Sequence, residues 1–412
     1  MLMFSGCFSK RGIQANWYAV HGNGSNSDYS SVKAPRNVTL AWQRKFNGNI
    51  NLGPTNDLFG KVYITTNAEG CHLYALDRVT GETIWCSSEV NRFAVASSAL
   101  VDENGNVFIA DNAHMFAFNN FGNIIWKTSI IGFPFSAQFI PKGRLIFITH
   151  IGIVYVMDKA TGKNVLAPYE LSPGNSMQGH VFDPAACMRG TEECPYANTL
   201  AVDQKSGRFY FTYWEPGAQQ ADLIAMQYSE MPSPRVSKIW RNASLPGGSA
   251  SSPDISFDGK KVYVNDNSGG LHAIDAKTGK TIWQYDIGYA TGGSQSTSPN
   301  GTILPAGGTK APLICIQDMG NTPRLLWRMD SVINRGVPTQ TAGGLIFATL
   351  ANKKKGRLYN RLVVIEAKSG KQIDEEELPG TTLFTVGTTI GPWGDVYVPA
   401  FNGRLFAFRK DD

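Results

Sequence analysis

Apolar residues in this chain come in short runs, not at helical spacing, and the runs recur in pairs around a turn of fixed composition. The clearest copy is Gly269–Gly288, GGLHAIDAKTGKTIWQYDIG. Leu271 to Ile274 reads as a strand, Asp275 to Gly279 as a tight turn and Thr281 to Tyr285 as the returning strand, so the unit is a β-hairpin. Gly279 supplies the positive φ that such a turn needs. Copies stand at Leu73–Trp85, Met115–Trp126, Val154–Leu166 and Leu362–Ile373, with weaker ones at Leu223–Trp240 and Leu313–Trp327.

The tryptophans set the period. From Trp42 to Trp85 to Trp126, and again from Trp240 to Trp283 to Trp327, the steps are 43, 41, 43 and 44 residues. An all-strand repeat of this length predicts propeller blades. One hairpin cannot bury both of its faces, and an indole laid on the neighbour's glycine turn contributes roughly 2–3 kcal/mol per blade. Residues 38–46 form a strand with no partner before it, while the C-terminal end offers three strands without a fourth. The economical arrangement joins the two. The expected fold is therefore all-β, a single eight-bladed propeller over 38–412 whose N-terminal strand completes the C-terminal blade and leaves no free edge. Residues 1–37 are expected as an N-terminal extension and leading loop laid across the ring, and about 172–198 as a long insertion in the fourth blade.

Composition adds a few limits. The 43 glycines and 21 prolines supply turns for many short strands. A net charge of +5 is spread out, with KKKGR at 353–357 its one dense run, so a nucleic-acid partner is not expected. No stretch is long and apolar enough to span a membrane. Six cysteines are too few for a disulfide scaffold and lack metal-knuckle spacing, so no metal site is expected. Cys187 and Cys194 flank a short loop and are one candidate disulfide. Cys71 and Cys86, near the ends of one hairpin, are the other, with free buried thiols the alternative. A bond in either pair implies an oxidising compartment, hence a secreted or periplasmic protein, expected as a monomer.

The pattern Ala273, Asp275, Thr278, Gly279, Trp283 resembles the tryptophan-docking repeat of quinoprotein (PQQ) dehydrogenase-like propellers, and the resemblance covers nearly the whole chain. It implies an eight-bladed propeller. In the alcohol dehydrogenases of that family PQQ lies on the axis between a tryptophan and adjacent cysteines, beside a calcium ion. This chain has no Cys–Cys pair and no Trp in an axis-facing strand, so PQQ and calcium are not expected and the cofactor is left unknown. The family also includes a non-catalytic lipoprotein of the outer-membrane β-barrel assembly machine, a docking scaffold.

Axis-lining segments are expected just after each outer strand, at 49–56, 93–98, 133–138, 178–183, 247–252, 291–296, 335–341 and 384–389. Small residues and amides dominate them, which strand crowding at the axis also explains. Gln138, Gln295 and Gln340 are the candidate polar contacts for a ligand, and Phe133, Phe135 and Phe384 its apolar wall. His180 and Asp183, with Arg335, are the candidate acid/base or anion-binding groups. Asp77, Asp158 and Asp275 recur at the hairpin turn, which accounts for them. The leading reading is a non-catalytic propeller that binds a partner protein or small ligand. The alternative is an enzyme with its active site on the axis, either a redox enzyme or a cofactor-free lyase, isomerase or cyclase.

Overall fold

In a computed structural model the described residues are 17–173, 196–215, 217–249, 251–354, 357–381 and 384–410. Blade 5 shows how a repeat folds. Asp254–Ile255, Lys261–Asn265, Gly270–Asp275 and Thr281–Asp286 form an antiparallel meander that runs from the axis outward. The turn closes because Asp275 Oδ1 accepts from the backbone N–H groups of Lys277 and Thr278 and from the Thr278 hydroxyl. Asp77 and Asp158 repeat the arrangement, so these carboxylates are turn parts.

Eight such sheets make the ring. Seven follow in chain order over 55–87, 100–129, 138–170, 196–246, 254–286, 295–329 and 339–377. The eighth is composite, as expected: Val38–Lys45 pairs antiparallel with Arg404–Lys410, which puts Trp42 opposite Ala407. Among the described residues the helical content is one 3-10 turn, Arg92–Ala96, and no helix is long and apolar enough to cross a membrane. Cys71 and Cys86 are bonded to each other across blade 1, while Cys315 is a free thiol buried in blade 6. Cys187 and Cys194 lie outside the described residues.

Neighbouring blades meet through the indoles. The Nε1–H groups of Trp42, Trp85, Trp126, Trp240 and Trp327 donate to the carbonyls of Arg78, Asn120, Lys159, Ala276 and Ala367 in the next blade's turn, at 2.8–3.1 Å. The ring of each lies so close to that turn's glycine that a methyl group on Gly81, Gly122, Gly162, Gly279 or Gly370 would fall 2.5–2.7 Å from it. Blade 6 has lost the Thr-Gly turn, and there Trp283 Nε1 donates to the Asp318 carboxylate instead, at 3.1 Å.

The leading segment does not lie across the ring. It enters the axis. Carbonyls of Trp17, Tyr18, Gly24, Ser25, Ser27 and Asp28 accept, in order, from the N–H groups of Asn56, Val101, Val202, Ile255, Thr297 and Gln340, at 2.6–3.2 Å. These donors sit on or beside the innermost strands of blades 1, 2, 4, 5, 6 and 7. Blade 3 joins through Gln138 Nε2, which donates to Asn26 Oδ1 at 3.3 Å. Tyr29–Ser30 then pairs in parallel with Thr339–Thr341. The segment is a plug that walks round the ring and gives an acceptor to the inner edges of blades 1, 2, 4, 5, 6 and 7 and to the Gln138 amide of blade 3. In blade 4 the innermost strands are Tyr196–Ala197 and Ala201–Asp203, so the axis segment of that blade is 196–203. The expected one, 178–183, lies outside the described residues.

Two glycines separate the indole contact from backbone strain. Gly279 (φ +72°) lies under Trp240, whereas Gly259 (φ +71°) has nothing within 4 Å of an added methyl. Gly259→Ala is expected to cost about 1–2 kcal/mol, the left-handed conformation alone. Gly279→Ala is expected to cost about 2 kcal/mol more, because the indole must move. Urea denaturation of both variants checks the difference, and equal losses would show that the indole contributes nothing.

Candidate functional site: the axial cavity

Above the plug the axis opens into a cavity of about 810 Å³, within the range of small-molecule sites. Trp17, Val20, His21 and Asp28 of the plug form its floor, and the segments that lead into the innermost strands form its wall. The wall is mostly apolar. Phe133, Phe135, Phe384 and Phe401 face it, and Phe133 stacks edge-on to Phe135 with centroids 5.6 Å apart. Glycines 292, 293, 307, 308, 336 and 387 complete it and leave the volume open.

One charge stands in this wall. Arg335 is 6% exposed, and its backbone is fixed by bonds to Thr349 and Thr385. Its guanidinium lies 4.9 Å from the centre of the Phe384 ring. Its Nε has no hydrogen-bond partner, and among the described residues no carboxylate pairs with it. Burial pushes its pKa down from the ordinary arginine value. A ring face attracts a cation by about 0.5–2 kcal/mol, but it does not satisfy five N–H donors. A desolvated, uncompensated cation costs several kcal/mol. Its Nε–H is the donor left without a partner in the protein.

The floor carries a second polar set. His21 Nδ1 lies 2.7 Å from Asp28 Oδ2, and His21 Nε2 lies 3.4 Å from Ser294 Oγ. All three residues line the cavity. Burial pushes the Asp28 carboxyl up, and His21 opposes the rise. In the tautomer with its hydrogen on Nδ1, His21 donates to the Asp28 carboxylate and leaves Nε2 to accept from the serine. The backbone here is unusual. Trp17, His21, Asn26 and Asp28 are four of the five non-glycine residues with positive φ among those described, at 65°, 57°, 60° and 44°. Such conformations cost of order 1–3 kcal/mol each.

The expected site residues divide. Phe133, Phe135, Phe384 and Arg335 meet at the cavity. Gln138, Gln295 and Gln340 do not reach it. They are 0%, 0% and 2% exposed, and their amides bond to the scaffold, save Gln138 Oε1, which has no partner. Gln138 bonds to Asn26, Gln295 to Ser251, Asn265 and the Tyr263 carbonyl, and Gln340 to Thr302 and Ser296. They point along the sheet edges, where strand and plug carbonyls compete for them. His180 and Asp183 lie outside the described residues. His21, Asp28 and Ser294 have no counterpart among the site residues expected from the sequence. The high density of Gly, Asn, Ser and Asp over 21–28 is the signal that was available.

Comparison with known proteins matches this architecture. A family model described as outer membrane protein assembly factor BamB matches residues 199–318. Protein Rv3035 of Mycobacterium tuberculosis (strain ATCC 25618 / H37Rv) is 26% identical over 397 residues, which covers 95% of both chains. Quinohemoprotein alcohol dehydrogenase from Comamonas testosteroni superposes with a TM-score of 0.63 over 96% of this chain and 81% of that one, at 14% identity. BamB from Moraxella catarrhalis does so with a TM-score of 0.59 over 90% and 99%, also at 14%. The fold is that of the PQQ-like β-propellers. At these identities the structural likeness is one of fold alone.

The cavity of this PQQ-like propeller does not fit a quinone held with calcium. The carboxylate it presents, Asp28, is bonded to His21, and among the described residues no three His, Cys, Asp or Glu side chains converge as on a metal ion. The described cysteines do not line it. A tryptophan does line the cavity, Trp17, but it comes from the plug and not from a blade strand.

His150 braces the wall from behind. Its ring stacks on Phe133 with centroids 4.0 Å apart, and Nδ1 accepts the Phe133 N–H at 3.1 Å. Burial lowers its pKa to about 3. The folded value lies below the unfolded value of about 6.5, so this contribution is complete above pH 6.5 and is lost as pH falls toward 3. His150→Gln is expected to be the less stable protein at pH 7. Between pH 6.5 and 4 the gap to the parent should narrow by up to about 3 kcal/mol, as read from urea denaturation at stepped pH. A constant gap would show that His150 protonates equally in both states.

Proposed function

We propose that this propeller binds a small anionic ligand with an apolar or aromatic body in its axial cavity, outside the cytoplasm. The observation that carries the reading is Arg335, buried, unpaired and set in an aromatic wall. A guanidinium in that state suits a carboxylate or phosphate, which accepts two parallel N–H bonds and returns the desolvation cost as affinity. The plug and the inner strands hold the site in place before a ligand arrives, so little ordering entropy opposes binding. The Cys71–Cys86 bond supports an oxidising compartment.

A second reading, a docking scaffold for a partner protein, has its own observation. Phe59, Val79, Phe121 and Trp393 are 56%, 53%, 79% and 48% exposed. They occupy turns of the consecutive blades 8, 1 and 2, on the face opposite the cavity mouth. Exposed apolar tips of this kind favour protein contact. They leave the buried cation unexplained, which is why the small-ligand reading leads.

Arg335→Met distinguishes the readings by sign. Removing an uncompensated buried charge is expected to stabilise the ligand-free protein by about 1–3 kcal/mol. The same change is expected to abolish the rise in melting temperature that 4-phenylbutyrate produces in the parent and that its neutral amide does not. Thermal unfolding with each compound measures both effects. A variant no more stable than the parent, with no carboxylate-specific rise in the parent, would overturn the reading.

A further inference from the structure

The cavity floor holds a set of groups that binding alone does not use. Asp28 accepts from His21 Nδ1, and His21 Nε2 faces Ser294 Oγ at 3.4 Å. The Ser252 N–H donates to the same Oγ at 3.0 Å, which fixes the hydroxyl while leaving its own hydrogen for the imidazole. Gly292 and Gly293 precede the serine along the wall, so no side chain stands over it from that side. His21 and Asp28 keep left-handed backbones to make this contact, held by the bond from the Asp28 N–H to the His21 carbonyl at 2.9 Å. Strain retained at a cavity is a pointer to function. A nucleophile, a base and a group that orients the base, in that order, form the pattern of serine acyl transfer, which recurs on unrelated folds. A Ser–His distance of 3.4 Å is of the length that such bonds show before substrate arrives.

We infer that Ser294, His21 and Asp28 form an acyl-transfer site that hydrolyses a carboxyl ester whose acyl half carries a second, anionic group held by Arg335. This rests on the anionic-ligand reading and goes beyond it. Ser294 Oγ bonds to the ester carbonyl carbon while its proton passes to His21 Nε2. The carbon–oxygen bond to the alcohol breaks, and the alcohol leaves with that proton. Water then attacks the acyl-serine, again giving its proton to His21, and the acid departs as Ser294 regains its hydrogen. Ser294 and His21 are the catalytic residues, and Asp28 is a positioning residue.

The full chain is tested with p-nitrophenyl hemiglutarate, with the neutral p-nitrophenyl butyrate and with a fluorophosphonate probe. The parent should release nitrophenol from the anionic ester, and intact-mass and peptide mapping should place the phosphonyl group on Ser294. Ser294→Ala should lower turnover at least about 100-fold and lose labelling, in a protein that circular dichroism shows to be still folded. His21→Gln should do the same. Asp28→Asn should lower kcat and shift its pH profile with KM little changed. Arg335→Met should raise KM for the hemiglutarate about tenfold or more relative to that for the butyrate. Ser294→Ala with parental turnover, or a probe that labels elsewhere, would overturn the inference. If the parent binds 4-phenylbutyrate through Arg335 yet neither turns over the esters nor takes the probe, the binding reading stands and the acyl-transfer site falls. If Ser294 takes the probe and both esters react equally in parent and Arg335→Met, the serine site stands and the anionic reading falls.

Discussion

Sheets that converge on an axis bring their inner edges to one place, too close for another strand and facing the wrong way to pair with each other. Each edge presents backbone N–H groups that cost about 1–3 kcal/mol apiece if buried without an acceptor. In this protein the acceptors are the carbonyls of one segment, Trp17 to Ser30, which meets the blades in ring order. Everything else about the axis follows from that. The plug closes one end of the channel, so the channel becomes a cavity with a floor, and the floor consists of whichever side chains the plug must turn inward.

The outer seam solves a different problem with different means. There the blades are pinned by side chains, an indole over a glycine turn with one N–H to a carbonyl. At the axis there is no room for an indole, and backbone does the work. The two devices act at opposite ends of the wedge in blades 1, 2, 4, 5 and 6, so none of these can rock without breaking one of them. That stiffness is what allows Arg335 to remain buried beside Phe384 without a partner. A looser scaffold would let the guanidinium swing out to water, as long charged side chains do when they can.

The parts legible in the sequence are the periodic and local ones. The hairpin unit, the tryptophan spacing and the orphan strand around Trp42 each repeat or complete a pattern, and the structure has all three. Phe133, Phe135, Phe384 and Arg335 were legible too, because a segment that follows an outer strand must reach the axis. The glutamines were not. A polar residue on an inner strand has either the cavity or the sheet edge as its surroundings, and the alternation of the strand does not say which. The plug was hidden because it occurs once, and a single copy has no period. Its composition, HGNGSNSD, belongs to a chain that turns at nearly every residue, and such a chain can present carbonyls in several directions. That points to an acceptor role only once the converging inner edges need acceptors.

Glutamine and arginine at this axis show how the same burial leads to opposite meanings. Gln295 and Gln340 are neutral, and each finds several partners in the strands around it, so their burial is complete as it stands and rigidifies the sheet edges. Arg335 is charged, borders the cavity, and has a ring face beside its guanidinium where its Nε finds no acceptor. The fold tolerates that cost because the seams and the plug stabilise the ring many times over, and it tolerates the left-handed residues beside it for the same reason. Costs that are scattered in a protein read as imperfections of packing. Here an unpaired cation, several strained residues and a hydroxyl beside an imidazole surround one cavity, and that concentration is what supports the proposal of a ligand there.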